Sequence, residues 1–376
     1  MANYDDEGPG YRYHFWSSTS NLFFENNDGL PCFMYWHQIG NLSLRLPPLD
    51  IMTTVCSSSR GLIACRDPFF NYYIGNPLAE GRNAYISLPP SPRTHTSDDT
   101  SVVLATDILG NDEPIAFHLI CAVRVKANTY TFDTYSSILG DWLSTEPQAL
   151  RAEICRNTGV SCGRMAYWLI EQAGVLAEVV EFDALSKLIR YLGLPCTYKI
   201  LVESSSELQL GRVRNMLGLV MVRKRPKPRV ELHVHGENRW RRFDSLGIDI
   251  QADTETLDWV GQNIAREFLQ RTTTVGPLLA GTIVTREMPR PLRFESSKME
   301  VLLWVDGWLI VWEMSGINGS LVTQVVLCPV TGGTPARFAN AIPHVCTTWL
   351  PDKFFFNLPA SPATGSAASN PIQVLD

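Results

Sequence analysis

Two histidines one residue apart, in His233-Val234-His235, are the strongest candidates for metal chemistry in the sequence. Successive side chains of a β-strand point to opposite faces, so these two imidazoles would share one face, as the ligands of many metal sites do. No third ligand follows from the spacing, and the remaining histidines are isolated from one another. These are His14, His37, His95, His118 and His344. The sequence therefore predicts two exposed strand histidines and no metal site.

Signatures of catalysis are absent from the sequence. It contains no Gly-x-Ser-x-Gly, His-Glu-x-x-His, Gly-x-x-x-x-Gly-Lys-Ser/Thr or Gly-x-Gly-x-x-Gly segment. These patterns place a nucleophile, a zinc ion, a nucleotide phosphate or a dinucleotide on particular turns, and without them no such site is indicated. We therefore predict a non-catalytic protein that needs no cofactor.

The most concentrated charge lies in Arg223-Lys224-Arg225-Pro226-Lys227-Pro228-Arg229. Its two prolines predict a loop between the strands Leu219–Val222 and Val230–Val234, because proline cannot donate to a sheet ladder. The loop is either a solvated hairpin tip, a docking patch for an acidic partner or a nuclear-import signal. The candidate partner-binding residues are Arg223, Lys224, Arg225, Lys227 and Arg229, and the patch could extend to Arg239, Arg241 and Arg242.

The composition favours a folded protein that binds neither nucleic acid nor membrane. Hydrophobic residues make up 45% of the chain, charged residues 19%, and the net charge is -6. An acidic protein has no overall positive field to attract phosphate backbones. The nine cysteines never occur as Cys-x-x-Cys, which predicts reduced core residues. The acidic start and the lack of a long apolar run predict a cytoplasmic or nuclear protein.

The elements that must position these residues repeat along the chain. In two places an apolar strand reaches a turn, at Asn76 and at Asp183, and a Leu-Pro pair follows at Leu88-Pro89 and Leu194-Pro195. Weaker copies mark the same phase at Pro47, Trp142 and Trp240, with steps of 42, 53, 53 and 45 residues between consecutive marks. Repeats of this length are typical of propeller blades. We predict an all-β chain forming a single β-propeller of about six blades.

Local patterns refine this prediction. Asp306-Gly307 between Val301–Val305 and Trp308–Trp312 predicts a hairpin, because a two-residue type I′ turn favours Asp-Gly. Helical spacing over Glu255–Gln270 predicts one amphipathic helix in a blade insertion, and Pro147–Ile154 suggests a second, shorter helix. The predicted domain limits are a flexible N-terminus at 1–14, the propeller at 15–350 and a disordered tail at 351–376.

Three segments give the sequence a family resemblance: Ser57-Ser58-Ser59-Arg60-Gly61-Leu62-Ile63-Ala64-Cys65, then Tyr72-Tyr73-Ile74-Gly75-Asn76-Pro77-Leu78, and then Leu88-Pro89-Pro90. Together they resemble the plant F-box-associated domain. Tyr167-Trp168-Leu169, Phe182-Asp183 and Leu194-Pro195 are similar to a later repeat of that family. The resemblance implies a kelch-like β-propeller that captures protein substrates for a cullin-RING ubiquitin ligase.

One departure from the family concerns the ligase itself. Family members begin with an F-box of about forty residues that docks on the ligase adaptor, and residues 1–22 are too few to hold it. The resemblance therefore implies a protein-binding propeller that reaches the adaptor only if an F-box is supplied elsewhere. Two alternatives stay open: a propeller enzyme with a polar central site, and an F-box-less family member with no ligase role.

Overall fold

The computed structural model describes the chain in segments. They are residues 20–25, 31–34, 54–76, 85–93, 95–96, 99–109, 113–156, 158–172, 175–195, 208–224, 227–237, 239–250, 282–285, 288–291, 294–296, 300–305, 308–315, 319–326 and 342–345. Within these segments the regular structure consists of β-strands, and no helix is present. It follows that no helix there is long and apolar enough to cross a membrane.

The described strands form six sheets, named A to F in chain order. The strands of the first three sheets are β1 (Ser20–Glu25), β2 (Pro31–Met34) and β27 (Ile342–Val345) in sheet A; β3 (Thr54–Ser59), β4 (Leu62–Arg66), β5 (Tyr72–Gly75) and β6 (Tyr85–Ser87) in sheet B; and β7 (Thr100–Leu109), β8 (Glu113–Lys126), β9 (Thr129–Ser136), β10 (Asp141–Ser144) and β11 (Gln148–Ala149) in sheet C.

The strands of the last three sheets are β12 (Glu153–Ile154), β13 (Val160–Cys162), β14 (Met165–Gln172), β15 (Val175–Asp183) and β16 (Ile189–Gly193) in sheet D; β17 (Leu208–Val213), β18 (Met216–Arg223), β19 (Arg229–Gly236), β20 (Arg239–Ile250), β21 (Thr282–Thr285) and β23 (Phe294–Ser296) in sheet E; and β22 (Arg290–Pro291), β24 (Glu300–Val305), β25 (Trp308–Ser315) and β26 (Gly319–Val326) in sheet F. Consecutive strands pair antiparallel in most cases, and β21 and β23 join sheet E in parallel.

The sheets follow one another around a closed ring. Strand β27 contacts β3, β3 contacts β7, β7 contacts β13, β13 contacts β17, β17 pairs with β23, and β23 contacts β27. The first described strand, β1, pairs antiparallel with the last, β27, with Leu22 opposite Pro343. One strand from each of sheets A to D and two strands of sheet E, β17 and β23, therefore line a common axis, which is the arrangement of a β-propeller.

The core lies between the faces of neighbouring sheets. Between sheets C and D, the rings of Phe132 and Phe182 stack with centroids 4.4 Å apart, and Trp168 is fully buried beside them. The indole of Trp168 donates through Nε1 to the Ser101 hydroxyl at 3.0 Å. Because each sheet has two faces, burial of their apolar side chains against both neighbours stabilises the ring.

Two tryptophans make the same bond between different pairs of sheets. Trp142 on β10 donates through Nε1 to the Pro89 carbonyl just after sheet B, at 2.9 Å. Trp240 on β20 donates to the Gly193 carbonyl at the end of sheet D, at 2.6 Å. Each bond joins the fourth strand of one sheet to the end of the preceding sheet. The marks used to phase the sequence repeat thus lie at equivalent places in sheets B to E.

The predicted hairpin at residues 306–307 is confirmed by the strand register, and a second two-residue connection joins β14 to β15. Val305 pairs with Trp308, which leaves two residues to connect β24 and β25. In the same way Gln172 pairs with Val175 across β14 and β15. The linking residues themselves, 306–307 and 173–174, lie outside the described residues.

The short helix suggested for Pro147–Ile154 is wrong. This stretch is extended, with β11 pairing on β9 and β12 pairing on β14. Leu150 and Ile154 are both buried between sheets C and D, so their apolar character reflects a linker that crosses an interface. The Ile154 amide donates to the Tyr130 hydroxyl at 3.0 Å. The predicted helix over Glu255–Gln270 and the termini 1–14 and 351–376 lie outside the described residues.

Candidate functional site

The turns of the ring lie at two ends. At the first end, turns connect β3 to β4, β9 to β10, β13 to β14, β15 to β16, β17 to β18 and β19 to β20. At the second end, turns connect β4 to β5, β8 to β9, β14 to β15 and β18 to β19. Loops on a rigid scaffold are the usual place for binding residues, so both ends and the axis between them are candidate sites.

Hydroxyl groups occupy the axial side of three inner strands. The Ser59 hydroxyl lies 3.1 Å from that of Thr106 and 3.3 Å from that of Ser161. Sheets B and D are separated by sheet C, so the contact between Ser59 and Ser161 can form only on the axial side of the ring. All three side chains are buried. The hydroxyls satisfy one another and tie sheets B, C and D together.

Two turns meet across the axis at the first end. Arg60, in the turn between β3 and β4, donates to the side-chain oxygen of Asn215, in the turn between β17 and β18. These turns belong to sheets on opposite sides of the ring. Arg212, on the inner strand β17, is 4% exposed and adds a buried positive charge. Ser59, Thr106 and Ser161 therefore contribute hydroxyls to the axis, and Arg60 and Arg212 contribute guanidiniums.

Two neighbouring turns at the first end expose four large apolar side chains. Ile138 and Leu139 belong to the turn between β9 and β10, and Leu185 and Leu188 belong to the turn between β15 and β16. Their exposed fractions are 54%, 59%, 51% and 56%. Sheets C and D are neighbours, so the two turns lie next to each other in the ring. We name these four residues the apolar turns.

Local hydrogen bonds fix the backbone conformation of the apolar turns. In the first turn, Gly140 has a φ of 68° and its amide donates to the Ser136 carbonyl at 2.8 Å. In the second turn, the Asp183 carboxylate accepts the Leu185 amide at 2.9 Å. Burial lowers the pKa of nearby Lys187 to about 8, which reduces the charge beside these leucines at slightly alkaline pH. The backbone is fixed by these bonds while the apolar side chains face outwards.

The predicted basic run lies at the second end. As expected, it links two strands: β18 ends at Arg223, β19 begins at Arg229, and these two residues are opposite one another. Lys224 and Lys227 are exposed, whereas Arg223 and Arg229 are partly buried. Arg225 lies outside the described residues. The run is therefore a hairpin tip with two exposed lysines and two arginines that are drawn back onto the sheet.

Arg223 and Arg229 lie against the sheet because both contact the carboxylate of Glu231. Its carboxylate is 1% exposed, and one oxygen, Oε1, lies beside Arg229 Nε, 3.5 Å from Arg223 NH1 and 3.8 Å from Arg242 NH1. Burial opposes its ionisation, but the hydrogen bond from His233 and the charges of Arg229 and Arg223 outweigh that effect and lower the Glu231 pKa. We name these five side chains the Glu231 cluster.

The two strand histidines differ from the sequence interpretation. His233 is buried, so its interpretation as an exposed histidine is wrong, and its Nε2 lies 3.1 Å from Glu231 Oε2. His235 is partly buried against the Trp240 ring, with centroids 5.1 Å apart. Within the described residues, no group of three or more His, Cys, Asp or Glu side chains is placed to hold a metal ion. Glu231 itself was missed, although the alternation Arg229, Glu231, His233 already placed the three on one strand face.

A second buried carboxylate lies between sheets B and C. Asp133 on β9 accepts from His95 Nε2 at 2.9 Å, and the Tyr72 hydroxyl lies 3.1 Å from His95 Nδ1. The side chains of His95 and Asp133 are both fully buried. Tyr72 and Trp142 place their rings against the imidazole, with centroids 5.6 and 5.8 Å away. This arrangement joins sheets B and C through fully buried side chains.

Comparison with known proteins gives structural likenesses only. No family model and no curated protein matches the chain. The structure of YCF48 bound to a D1 peptide has a TM-score of 0.39 at 11% identity, covering 84% of this chain and 81% of that one.

Two further structures are similar at the same level. A complex of the fission yeast SREBP-SCAP binding domains has a TM-score of 0.36 at 10% identity, covering 80% of this chain and 72% of that one. A protein described as a putative 6-phosphogluconolactonase from Bacteroides uniformis has a TM-score of 0.33 at 9% identity, covering 82% and 76%. At these scores the likenesses carry no argument about function, which rests on the chain's own geometry.

Proposed function

We propose that this chain is a six-bladed, non-catalytic β-propeller that binds another protein through the first end of its ring. The observation that carries the proposal is the exposure of the apolar turns on two neighbouring sheets. Exposed apolar side chains grouped on one face mark interaction surfaces, because their burial against a partner removes apolar area from water. The closed cycle of six inner strands, β27, β3, β7, β13, β17 and β23, supports the blade count.

The proposed partner is a substrate presented for ubiquitin transfer in the cytoplasm or nucleus, as in the F-box-associated domain family. Two features of the fold support this kinship. The block Ser57–Cys65 forms the hairpin of β3 and β4, and the Leu-Pro pairs at Leu88-Pro89 and Leu194-Pro195 both follow the last strand of a sheet. A ligase adaptor would join only through an F-box supplied elsewhere.

The proposal is tested by changing the apolar turns without disturbing the core. We expect Leu139→Lys combined with Leu188→Lys to abolish crosslinking to the partners that the wild-type chain captures in cells, because a charge replaces apolar contact area. The matched control is Val125→Lys, since Val125 is 55% exposed but lies near the second end, on β8. All variants should unfold within about 0.5 kcal/mol of the wild type, as exposed substitutions generally do.

Two results would separate the hypotheses. Equal capture by the double variant and by Val125→Lys would contradict binding through the apolar turns. Capture that depends on the apolar turns but never includes cullin-RING subunits would support a protein-binding propeller and reject the ligase role.

A further inference from the structure

The Glu231 cluster contains more positive charge than its carboxylate can balance. Five side chains lie on one face of sheet E: Arg229, Glu231 and His233 on β19, Arg223 on β18 and Arg242 on β20. Three guanidiniums carry three positive charges, and the carboxylate carries one negative charge. Burial lowers the pKa of His233, so its imidazole is neutral at neutral pH. The cluster therefore has a surplus of two positive charges.

The neighbouring acidic group on the facing sheet does not remove this surplus. Glu181 on β15 interacts with His235, farther along the same strand face, and pairs with Arg190 at 3.7 Å. On the side of the arginines, the adjoining turn adds the exposed Lys224 and Lys227. The charge of the surrounding groups therefore has the same sign as the surplus.

The guanidinium donors are only partly used by Glu231. The Oε1 atom that all three arginines approach has no contact with hydrogen-bond geometry, and the hydrogen bond to this carboxylate comes from His233 at Oε2. Each guanidinium has five N–H donors in a planar fork, whereas a carboxylate has about four acceptor positions. The arginines can thus be oriented by Glu231 and still donate to another group.

The arginines also reach solvent while the carboxylate does not. The side chains of Arg223, Arg229 and Arg242 are 31%, 30% and 57% exposed above a carboxylate that is 1% exposed. A buried anion below exposed cations fixes the cations in place and lowers the conformational cost of binding a ligand. A group that approaches the open side of the cluster therefore meets the N–H donors of the guanidiniums.

We infer that the Glu231 cluster is a receptor for a phosphate-type dianion, bound by Arg223, Arg229 and Arg242. A phosphoryl group carries close to two negative charges at neutral pH and three acceptor oxygens, which matches both the charge surplus and the donors. A single carboxylate would balance only half of the surplus. The inference does not depend on the proposed function, because the cluster lies at the second end of the ring and its first probe is inorganic phosphate.

The experiment is calorimetric titration of the full chain with sodium phosphate, against sodium chloride at equal ionic strength. We expect saturable binding of phosphate alone, weakened about tenfold or more by Arg242→Ala, because a charge-assisted hydrogen bond is lost. Arg242→Lys should lose less, since it keeps the charge but not the fork. The matched control is Arg151→Ala, which removes a 64% exposed arginine paired one to one with Glu178 and should leave the affinity unchanged.

Thermal unfolding in chloride shows that each variant is folded before titration. Phosphate binding no stronger than that of chloride would overturn the inference. Equal weakening by Arg151→Ala and Arg242→Ala would also overturn it, because the effect would then be general charge screening. A phosphoserine peptide that binds more tightly than inorganic phosphate would assign the dianion to a polypeptide, and equal affinities would assign it to the free anion.

Discussion

Two buried carboxylates in this ring have opposite surroundings. Asp133, between sheets B and C, contacts the buried His95 and one arginine, Arg93, at 3.3 Å. Glu231, on sheet E, contacts one histidine and three arginines. Both carboxylates have a lowered pKa, and both accept from an imidazole. They differ in how much positive charge surrounds them: one arginine lies beside Asp133 and three lie beside Glu231.

The difference distinguishes a carboxylate with a structural role, Asp133, from one whose surroundings can bind an anion, Glu231. Around Asp133 the aromatic rings of Tyr72 and Trp142 enclose the imidazole, and the single charge of Arg93 balances the carboxylate. Around Glu231 the cations are in surplus. Burial of a carboxylate therefore does not by itself indicate function; the balance of charge around it does.

The largest effect is expected from Asp133→Ala. Removing one partner of a buried pair leaves His95 without its acceptor, and we expect a loss of about 3–5 kcal/mol in the free energy of unfolding. Urea denaturation measures this loss. Glu178→Ala is the control, because it breaks an ion pair with an exposed arginine and should cost at most about 1 kcal/mol. Equal losses in the two variants would refute the structural role of Asp133.

A smaller effect is expected from Glu231→Gln. The arginines it leaves behind can be hydrated, so we expect a loss of about 1–3 kcal/mol. If the cluster receives dianions, phosphate should recover more of this loss than chloride at the same ionic strength, because the surplus positive charge increases. We expect no such recovery for Asp133→Ala, since one arginine rather than three lies beside that carboxylate. Recovery of stability by phosphate in both variants, or in neither, would contradict the proposed difference between the two carboxylates.

The smallest effect is expected in the pH dependence of stability. A carboxylate with a lowered folded-state pKa contributes stability above its unfolded pKa and loses it as pH falls through the folded pKa. The ordinary values are 3.8 for Asp133 and 4.5 for Glu231. The stability gap between wild type and Asp133→Ala should therefore be constant at neutral pH and shrink below about pH 3.8, by at most about 1.4 kcal/mol per pH unit for one proton.

For Glu231→Gln the corresponding gap should begin to shrink earlier, below about pH 4.5. Urea unfolding at a series of pH values measures both gaps. A gap that widens on acidification would mean that the folded-state pKa is raised, contrary to the contacts seen around the carboxylate.

Local sequence patterns were sufficient for the strands and their turns. The apolar runs either side of residues 306–307 pair in the expected register, because a two-residue connection and alternating side chains leave few other arrangements. The spacing of Leu-Pro pairs and tryptophans also identified the phase of the repeat. The same reasoning failed for Pro147–Ile154, where apolar spacing of four residues came from a linker between two sheets rather than a helical face.

The sequence by itself determined the all-β composition, the phase of the repeat and the position of the basic run on a turn, since each depends on residues close together in the chain. Only the tertiary structure brought Arg60 to Asn215, His95 to Asp133 and Arg242 to Glu231. The physical reason is that a ring sets contacts by the order and packing of its sheets, and side-chain charge is balanced across those contacts. A residue's partners across the ring leave no periodic signal in the sequence.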